Sequence, residues 1–472
     1  MKWILFGPEL YYLATAGVFL TLSMLARPNP RRDYWVALTM AMAGVVVSLA
    51  ALRSQGTLFF QAYRIDLFSQ VFKVLLAMAL FLIVSICSEL KGIRAHRHRE
   101  FYALLSICTL AMMMLVSSVE LLTLYVSLEL ASYSLYILVA LRRGYGPHME
   151  ASIKYFLLGA ATSAAMLFGL ASLYSATHTT YVAELVRLVP QVIGSPMGFI
   201  GLLLTLCGFF FKLALFPFHV WAPSVYQGAA NQVTAYIGTA TKVAAIAILI
   251  RIVSLSAGKS ADLIHILAAL AIGSMTLGNL VAIVQKDLKR LLAYSAIAHA
   301  GYVLIGILSM SENGYAGAIF YALAYLAMNF TCFLVVAKVA HDGSDLKVVQ
   351  LAGLHRRSPL LAMALMVGVF SLGGIPPTIG FTGKFLVFVA AVQKGYFYLV
   401  FIGMINVVVS LYYYALVVKA AYLLEPAEAS APIRLSVPTR LLAVMMVIVI
   451  VVGGMFPAHL YSLARAAAHA LI

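Results

Sequence analysis

Apolar runs of about 18 residues or more recur along the whole chain, separated by short polar segments rich in Arg, Lys, Gly and Pro. A helix rises 1.5 Å per residue, so about 20 apolar residues cross a hydrocarbon core roughly 30 Å thick. The pattern predicts fourteen such helices, over 9–26, 34–52, 68–88, 101–117, 120–141, 152–175, 197–222, 231–253, 263–284, 291–310, 315–338, 359–393, 397–423 and 441–461. The connections are too short for a folded domain outside the membrane. The chain therefore reads as an all-α polytopic membrane protein, and its 63% hydrophobic and 10% charged residues agree. The first run reads as a retained helix, since no small-residue cleavage site follows it before Pro28, Pro30, Arg31 and Arg32.

Charge then sets the orientation. The formal net charge of +16 resides in the connections and forms no basic helical stripe, which excludes a nucleic-acid reading. Taking connections alternately, twenty Lys and Arg from Arg27 to Arg440 fall on one side and eight, among them Lys2, Arg64, Arg251 and Lys259, on the other. The positive-inside rule places the first set in the cytoplasm and both termini on the opposite side. Cys87, Cys108, Cys207 and Cys332 stand alone within apolar runs, without a CxxC pair or a histidine at metal-ligand spacing, and read as small buried hydrophobes. There is no GxGxxG after a strand, no P-loop and no HExxH.

Against this background the ionisable residues inside the spans stand out, because charge at bilayer depth is costly and marks function. Glu129, Lys212 and Lys242 each lie 15 residues from a turn on the inferred cytoplasmic side, about 22 Å along a helix. His299 and Lys384 lie 10 residues, about 15 Å, from Lys289 and Lys394. Together they trace a polar layer near the midplane. An ammonium removed from water holds its proton less tightly and an opposed carboxylate reverses this, so Glu129 within reach of Lys212 would control whether a proton moves on to Lys242. Plainer readings stand beside each: a fixed Glu129–Lys212 packing pair, Lys242 reaching a backbone carbonyl, and His219 and His299 as hydrogen-bonded core residues rather than relay members. Lys73, seven residues from Asp66, reads as snorkelling to the interface, and Glu120 as an interfacial carboxylate at a helix N-terminus.

Two spans carry breaks. FKLALFPFHVWAP sets Pro217, His219 and Pro223 after Lys212, and LGGIPPTIGFTGK sets Gly373, Gly374, Pro376 and Pro377 before Lys384. Proline removes a backbone donor, and backbone freed at that depth survives only inside protein or beside a hydrated cavity. Breaks five spans apart, each next to a midplane charge, predict an internal repeat of five helices with a site in each half.

These motifs, with KDLKRLLAYSAIAHAGY, resemble the antiporter-like membrane subunits of proton-pumping NADH-quinone oxidoreductase, respiratory complex I, most closely their subunit N branch. The resemblance covers spans four to thirteen. It implies two inverted five-helix repeats with helices 7 and 12 broken: N-terminal helices over 1–100, repeats over 101–256 and 257–424, and a last helix over 425–472. It assigns a proton relay to Glu129, Lys212, Lys242 and Lys384, beside which His219 and His299 stand as the candidates weighed above. No cofactor or metal is expected in this chain; NADH, FMN, iron-sulfur clusters and quinone belong to partner subunits, with neighbours similar to subunits M and K, in a bacterial inner membrane. Where the family commonly has WxPDVYQGAP, this chain has Ser224 and Ala230, which bears on the access route at that end of span seven. Two other functions compete: a cation/proton antiporter or membrane-bound hydrogenase subunit of the same fold, and an inert scaffold of the membrane arm.

Overall fold

The computed structural model describes residues 3–25, 27–144, 147–254, 261–340, 342–425 and 431–471; Lys2 and Lys259, counted above for orientation, lie outside them. The described helices are α1 Gly7–Leu25, α2 Pro30–Ala50, α3 Leu67–Ser85, α4 His98–Ser117, α5 Leu121–Ala140, α6 Pro147–Thr177, α7 Val182–Val192, α8 Pro196–Leu213, α9 Trp221–Gly228, α10 Asn231–Val253, α11 Ala261–Ile283, α12 Leu288–Leu308, α13 Glu312–Val339, α14 Leu354–Arg357, α15 Pro359–Gly373, α16 Ile379–Gln393, α17 Phe397–Leu423, α18 Val437–Met455 and α19 Ala458–His469. Thirteen are long and apolar enough to cross a membrane, and α15 with α16 forms one further span in two halves.

The breaks have one design. α8 stops at Ala214, which takes a left-handed conformation and donates its N–H to Phe210 O and Phe211 O, while Leu215 N–H donates to Phe210 O. α15 stops in the same way 160 positions later: Gly374 is left-handed and donates to Phe370 O and Ser371 O, and Ile375 N–H donates to Phe370 O. This ending satisfies the carbonyls three and four residues before the left-handed residue but leaves the two that adjoin it without helical partners. The first half of span seven therefore ends at Leu213, and its second half, α9, runs on to Gly228 rather than stopping near 222. Five is an odd number of crossings, so the second break lies on a chain running in the opposite direction through the membrane. The repeats are inverted for that reason.

Three elements were absent from the hydropathy pattern. A hairpin pairs β1 (Gly56–Leu58) with β2 (Tyr63–Ile65). The amphipathic α7 is too short to span. The last run breaks at Pro457, so α18 ends at Met455 and α19 folds back against α13 and α3.

The centre is made by α10, α12 and α13, whose most apolar stretches are 100%, 94% and 94% buried, against 28% for α2 and α18. Apolar helices gain little from leaving lipid, so close packing must hold them. Gly278 and Gly301 supply it between α11 and α12: a Cβ on either would lie 2.7 Å from facing backbone, Ala298 N and Ala271 O respectively.

Lys73 corrects an expectation. It does not snorkel: it is fully buried and its Nζ lies 2.6 Å from Glu9 Oε1. α3 packs against α2, α4 and α10, so Lys73 faces protein, where Glu9 offers an opposite charge. Glu120 does cap a helix, accepting from Thr123 N and Thr123 Oγ1 at 2.7 Å each.

A clasp ties the two halves at one membrane face. Arg142, just past α5, donates to Gln227 O at 2.6 Å and Ala229 O at 3.3 Å, and Lys289, opening α12, donates to the same carbonyls at 2.8 and 3.1 Å. Both cations complement the negative end of the α9 dipole. Asp345, in the connection after α13, bridges them at 2.9 and 3.1 Å. Burial pushes the Asp345 carboxyl up, but Lys289 and Arg142 outweigh it and hold it below its ordinary value of 3.8. A lowered acid stabilises the fold above its unfolded value, and that stability is lost as pH falls through the lowered one. The thermal midpoint of the wild-type protein should thus drop on acidification below about pH 4. Asp345→Asn should start lower at neutral pH and lose less over the same window, as thermal unfolding at stepped pH would report.

Candidate functional site

The site is a row of polar side chains at the level of the two breaks. On α5, Glu129, Ser132 and Tyr136 share one face through spacings of three and four residues. Glu129 Oε1 accepts from Ser163 Oγ of α6 at 2.5 Å. Lys212, in the last turn of α8, donates from Nζ to Ser132 Oγ at 2.6 Å and lies 5.6 and 5.4 Å from the ring centres of Tyr136 and Phe211. Among the described residues no carboxylate stands within ion-pair distance of Lys212, so the fixed Glu129–Lys212 packing pair weighed above is not formed. The hydroxyl of Ser132, one turn along α5 from Glu129, occupies the ammonium instead.

Lys242 of α10 shows what a broken helix offers a lysine. Its Nζ donates to Lys212 O at 3.1 Å and Leu213 O at 2.8 Å, the free carbonyls ending α8, and sits 5.1 Å from the Trp221 ring centre. Trp221 Nε1 in turn donates to Phe211 O at 2.9 Å. In the second half Lys384 of α16 does the same work at equivalent carbonyls, Leu372 O at 2.8 Å and Gly373 O at 3.0 Å. Lys384 therefore matches Lys242 in chemistry, although it stands on the broken helix itself. The carbonyl contact weighed above for Lys242 is real and places it at the break.

Between these lysines lies His299 of α12. Its Nδ1 is 2.6 Å from Tyr321 Oη and its Nε2 3.4 Å from Tyr414 Oη. Tyr302, one turn on, has its ring 4.7 Å below Lys384 Nζ. Lys242 and His299 line a single cavity of about 10 Å³ with Leu213 and Tyr325. Lys212 lines another of about 30 Å³ with Ser132, Thr241 and Tyr155. A water needs roughly 10–15 Å³, so the second space admits one and the first is at the threshold.

His219 is placed differently. It sits in the α8–α9 break stacked on Phe216, with Nδ1 lacking a hydrogen-bond partner among the described residues. The structure joins Lys212, Lys242, His299 and Lys384 into a row, sets Glu129 at its edge beside Ser163, and leaves His219 outside it. The sequence reading missed Ser132, Ser163, Tyr302, Tyr321 and Tyr414. The α5 spacing was a usable signal for Ser132; nothing local marks the others, which α6, α12, α13 and α17 bring in.

A helical chain with thirteen membrane-length apolar helices among its described residues, broken twice and with lysines buried at both breaks, is the architecture of an antiporter-like proton-carrying subunit. Residues 118–410 match the family model "NADH:quinone oxidoreductase/Mrp antiporter, TM". The chain is 57% identical over 472 residues, all of both chains, to NADH-quinone oxidoreductase subunit N 2 of Syntrophobacter fumaroxidans, and 40% identical over 460 residues, 97% of this chain and 96% of the other, to that of Opitutus terrae. A chain of respiratory complex I from Thermus thermophilus superposes with a TM-score of 0.84 at 31% identity, covering 97% of this chain and 99% of that one. A chain of the Mrp complex from Dietzia superposes at 0.89, with 19% identity over 100% and 98% of the two chains, and so shares the fold. This chain belongs to the NADH:quinone oxidoreductase/Mrp antiporter membrane family.

Proposed function

We propose that this chain is the subunit N type, proton-translocating element in the membrane arm of an NADH-quinone oxidoreductase, carrying protons along the row and performing no redox step itself. The observation that carries this reading is the pair of clamped ammoniums, Lys242 and Lys384, each held by the free carbonyls of a broken helix. A carbonyl pair holds an ammonium without cancelling its charge. The proton can then leave without first breaking an ion pair.

In the first half, Ser132 and Glu129 stand one turn apart on α5, so a change of Lys212 rotamer exchanges a neutral hydroxyl for a carboxylate. Approach to Glu129 retains the proton; return to Ser132 releases it toward the Lys242 end. Tyr321, Tyr414 and Tyr302 extend donors and acceptors from His299 to the edge of the Lys384 site. The family membership, together with this uncancelled charge, favours translocation over an inert scaffold.

The remaining assignments follow from this reading. The relay consists of Glu129, Lys212, Lys242, His299 and Lys384, with His219 at the α9 end of the break as an access residue. The repeats occupy 101–256 and 257–424. NADH, FMN, iron-sulfur clusters and quinone are bound by partner subunits, and membrane neighbours similar to subunits M and K flank the chain. Glu129 is only partly buried on an α5 face that also exposes Val126 and Tyr133, a surface suited to such a neighbour. The face bearing the Arg142–Lys289 clasp is cytoplasmic, and the termini face the other side of a bacterial inner membrane.

The test is purification of the tagged chain from its own membranes. Co-elution of flavin- and iron-sulfur-containing subunits with NADH-driven acidification of vesicles supports the reading. A complex of membrane proteins alone, exchanging cations for protons without NADH, overturns it.

A further inference from the structure

A second buried ionic group lies away from the row, among α1, α3 and the hairpin. Glu9 and Lys73 are both fully buried and 2.6 Å apart, and Tyr63 Oη donates to Glu9 Oε1 at 2.5 Å. Lys73 Nζ also lies 5.1 Å from the Tyr63 ring centre. Removing both charges from water costs about as much as their attraction returns, and an apolar pair of equal volume is often as stable. Stability alone does not account for the cluster.

Two further features point to proton exchange. Buried polar atoms lacking a hydrogen-bond partner among the described residues include Glu9 Oε2, Ser117 Oγ, Arg251 Nε, and Lys73 Nζ apart from its ion pair. Buried groups of this kind are ordinarily satisfied by water. A cavity also lies beside Arg64, the neighbour of Tyr63 on β2. Arg251, near the end of α10 remote from the clasp, binds Asp66 at 3.4 Å and Val116 O at 3.2 Å. It walls this cavity, of about 390 Å³, with Arg64, Tyr181 and Glu184.

We propose that the Glu9–Lys73–Tyr63 cluster is a proton-binding site that exchanges with the non-cytoplasmic side through the cavity beside Arg251 and Asp66. Uptake of one proton converts the Glu9 carboxylate to the acid and loosens its hold on Lys73. Release passes that proton to the Tyr63 oxygen as the Tyr63 hydroxyl gives its own proton to a water on the Arg251 side, from which it reaches the cavity. Glu9 is then a carboxylate again, Tyr63 is neutral before and after, and one proton has moved. Lys73 of α3 and Tyr63 of β2 meet Glu9 directly, while Asp66, just ahead of α3, pairs with Arg64 of β2 and Arg251 of α10.

This rests on the chain being a proton carrier, and the test separates the two claims. The whole complex, reconstituted in vesicles, is compared as wild type, Glu9→Leu/Lys73→Met, Tyr63→Phe and Lys212→Met. Three quantities are read: protons delivered per NADH oxidised, dependence of delivery on non-cytoplasmic pH, and thermal midpoint. The expected result is that the double variant and Tyr63→Phe assemble with an unchanged midpoint, deliver fewer protons per NADH and lose the non-cytoplasmic pH dependence. Wild-type delivery and pH profile in Tyr63→Phe overturn the proposal, whether or not the double variant assembles. Delivery that falls only in step with the midpoint also overturns it, by making the cluster structural. If Lys212→Met delivers protons normally, the carrier reading fails instead.

Discussion

A complex carrying Lys212→Met is expected to assemble and to lose NADH-driven proton translocation. Methionine preserves the length and apolar stem of the side chain, so packing beside Phe211 and Tyr136 is retained while the ammonium is removed. The hydrogen bond to Ser132 disappears, and with it the group that can carry a proton past the break. Loss of a positioned acid–base group typically slows proton transfer by about 10²–10⁴-fold, which exceeds any packing effect of this exchange. Proton uptake by reconstituted vesicles measures the result. Normal pumping by an intact Lys212→Met complex would remove Lys212 from the relay.

The second large effect is structural and falls on the other half. Gly380 opens α16 where that helix turns back against α15: a Cβ there would lie 1.9 Å from Ser371 O and 2.7 Å from Ser371 C. Those are backbone atoms and cannot swing aside. Gly380→Ala must push α16 away, lengthening the Gly380 N to Ser371 Oγ hydrogen bond of 3.1 Å and, one turn on, the Lys384 contacts with Leu372 O and Gly373 O. Overpacking of this kind costs about 1–3 kcal/mol or more. A lowered thermal midpoint and reduced proton delivery are expected together. Gly17→Ala is the control, since nothing lies within 4 Å of its added Cβ and alanine is the better helix former. Equal midpoints for the two variants would mean that the α15–α16 break yields more easily than its geometry indicates.

The two results test parts of the molecule that differ in legibility. Lys212, Lys242 and Lys384 are conspicuous in the sequence because charge within an apolar run is rare, and the breaks because Pro217 and Pro377 interrupt runs that are otherwise helical. Glu9 escaped notice, and Lys73 read as snorkelling, for a related reason. Each lies near the start of its span, where a charge is ordinarily solvated, and only the packing of α1 and α3 carries both into the interior. The hairpin, α7 and α19 were invisible to hydropathy because they do not span. Tyr321 and Tyr414 are ordinary tyrosines until α13 and α17 set their hydroxyls beside His299.

Hydropathy, proline placement and isolated charge were thus enough to establish a polytopic helical chain, two broken spans and the ionisable residues inside the spans, because each reflects the energy of one residue type at one depth in lipid. Which partner each charge meets was decided by folding in three dimensions. Lys212 against Ser132 rather than Glu129, Lys242 and Lys384 on equivalent carbonyls, and Lys73 on Glu9 all depend on how helices far apart in sequence rotate and pack. No one-residue property encodes that rotation.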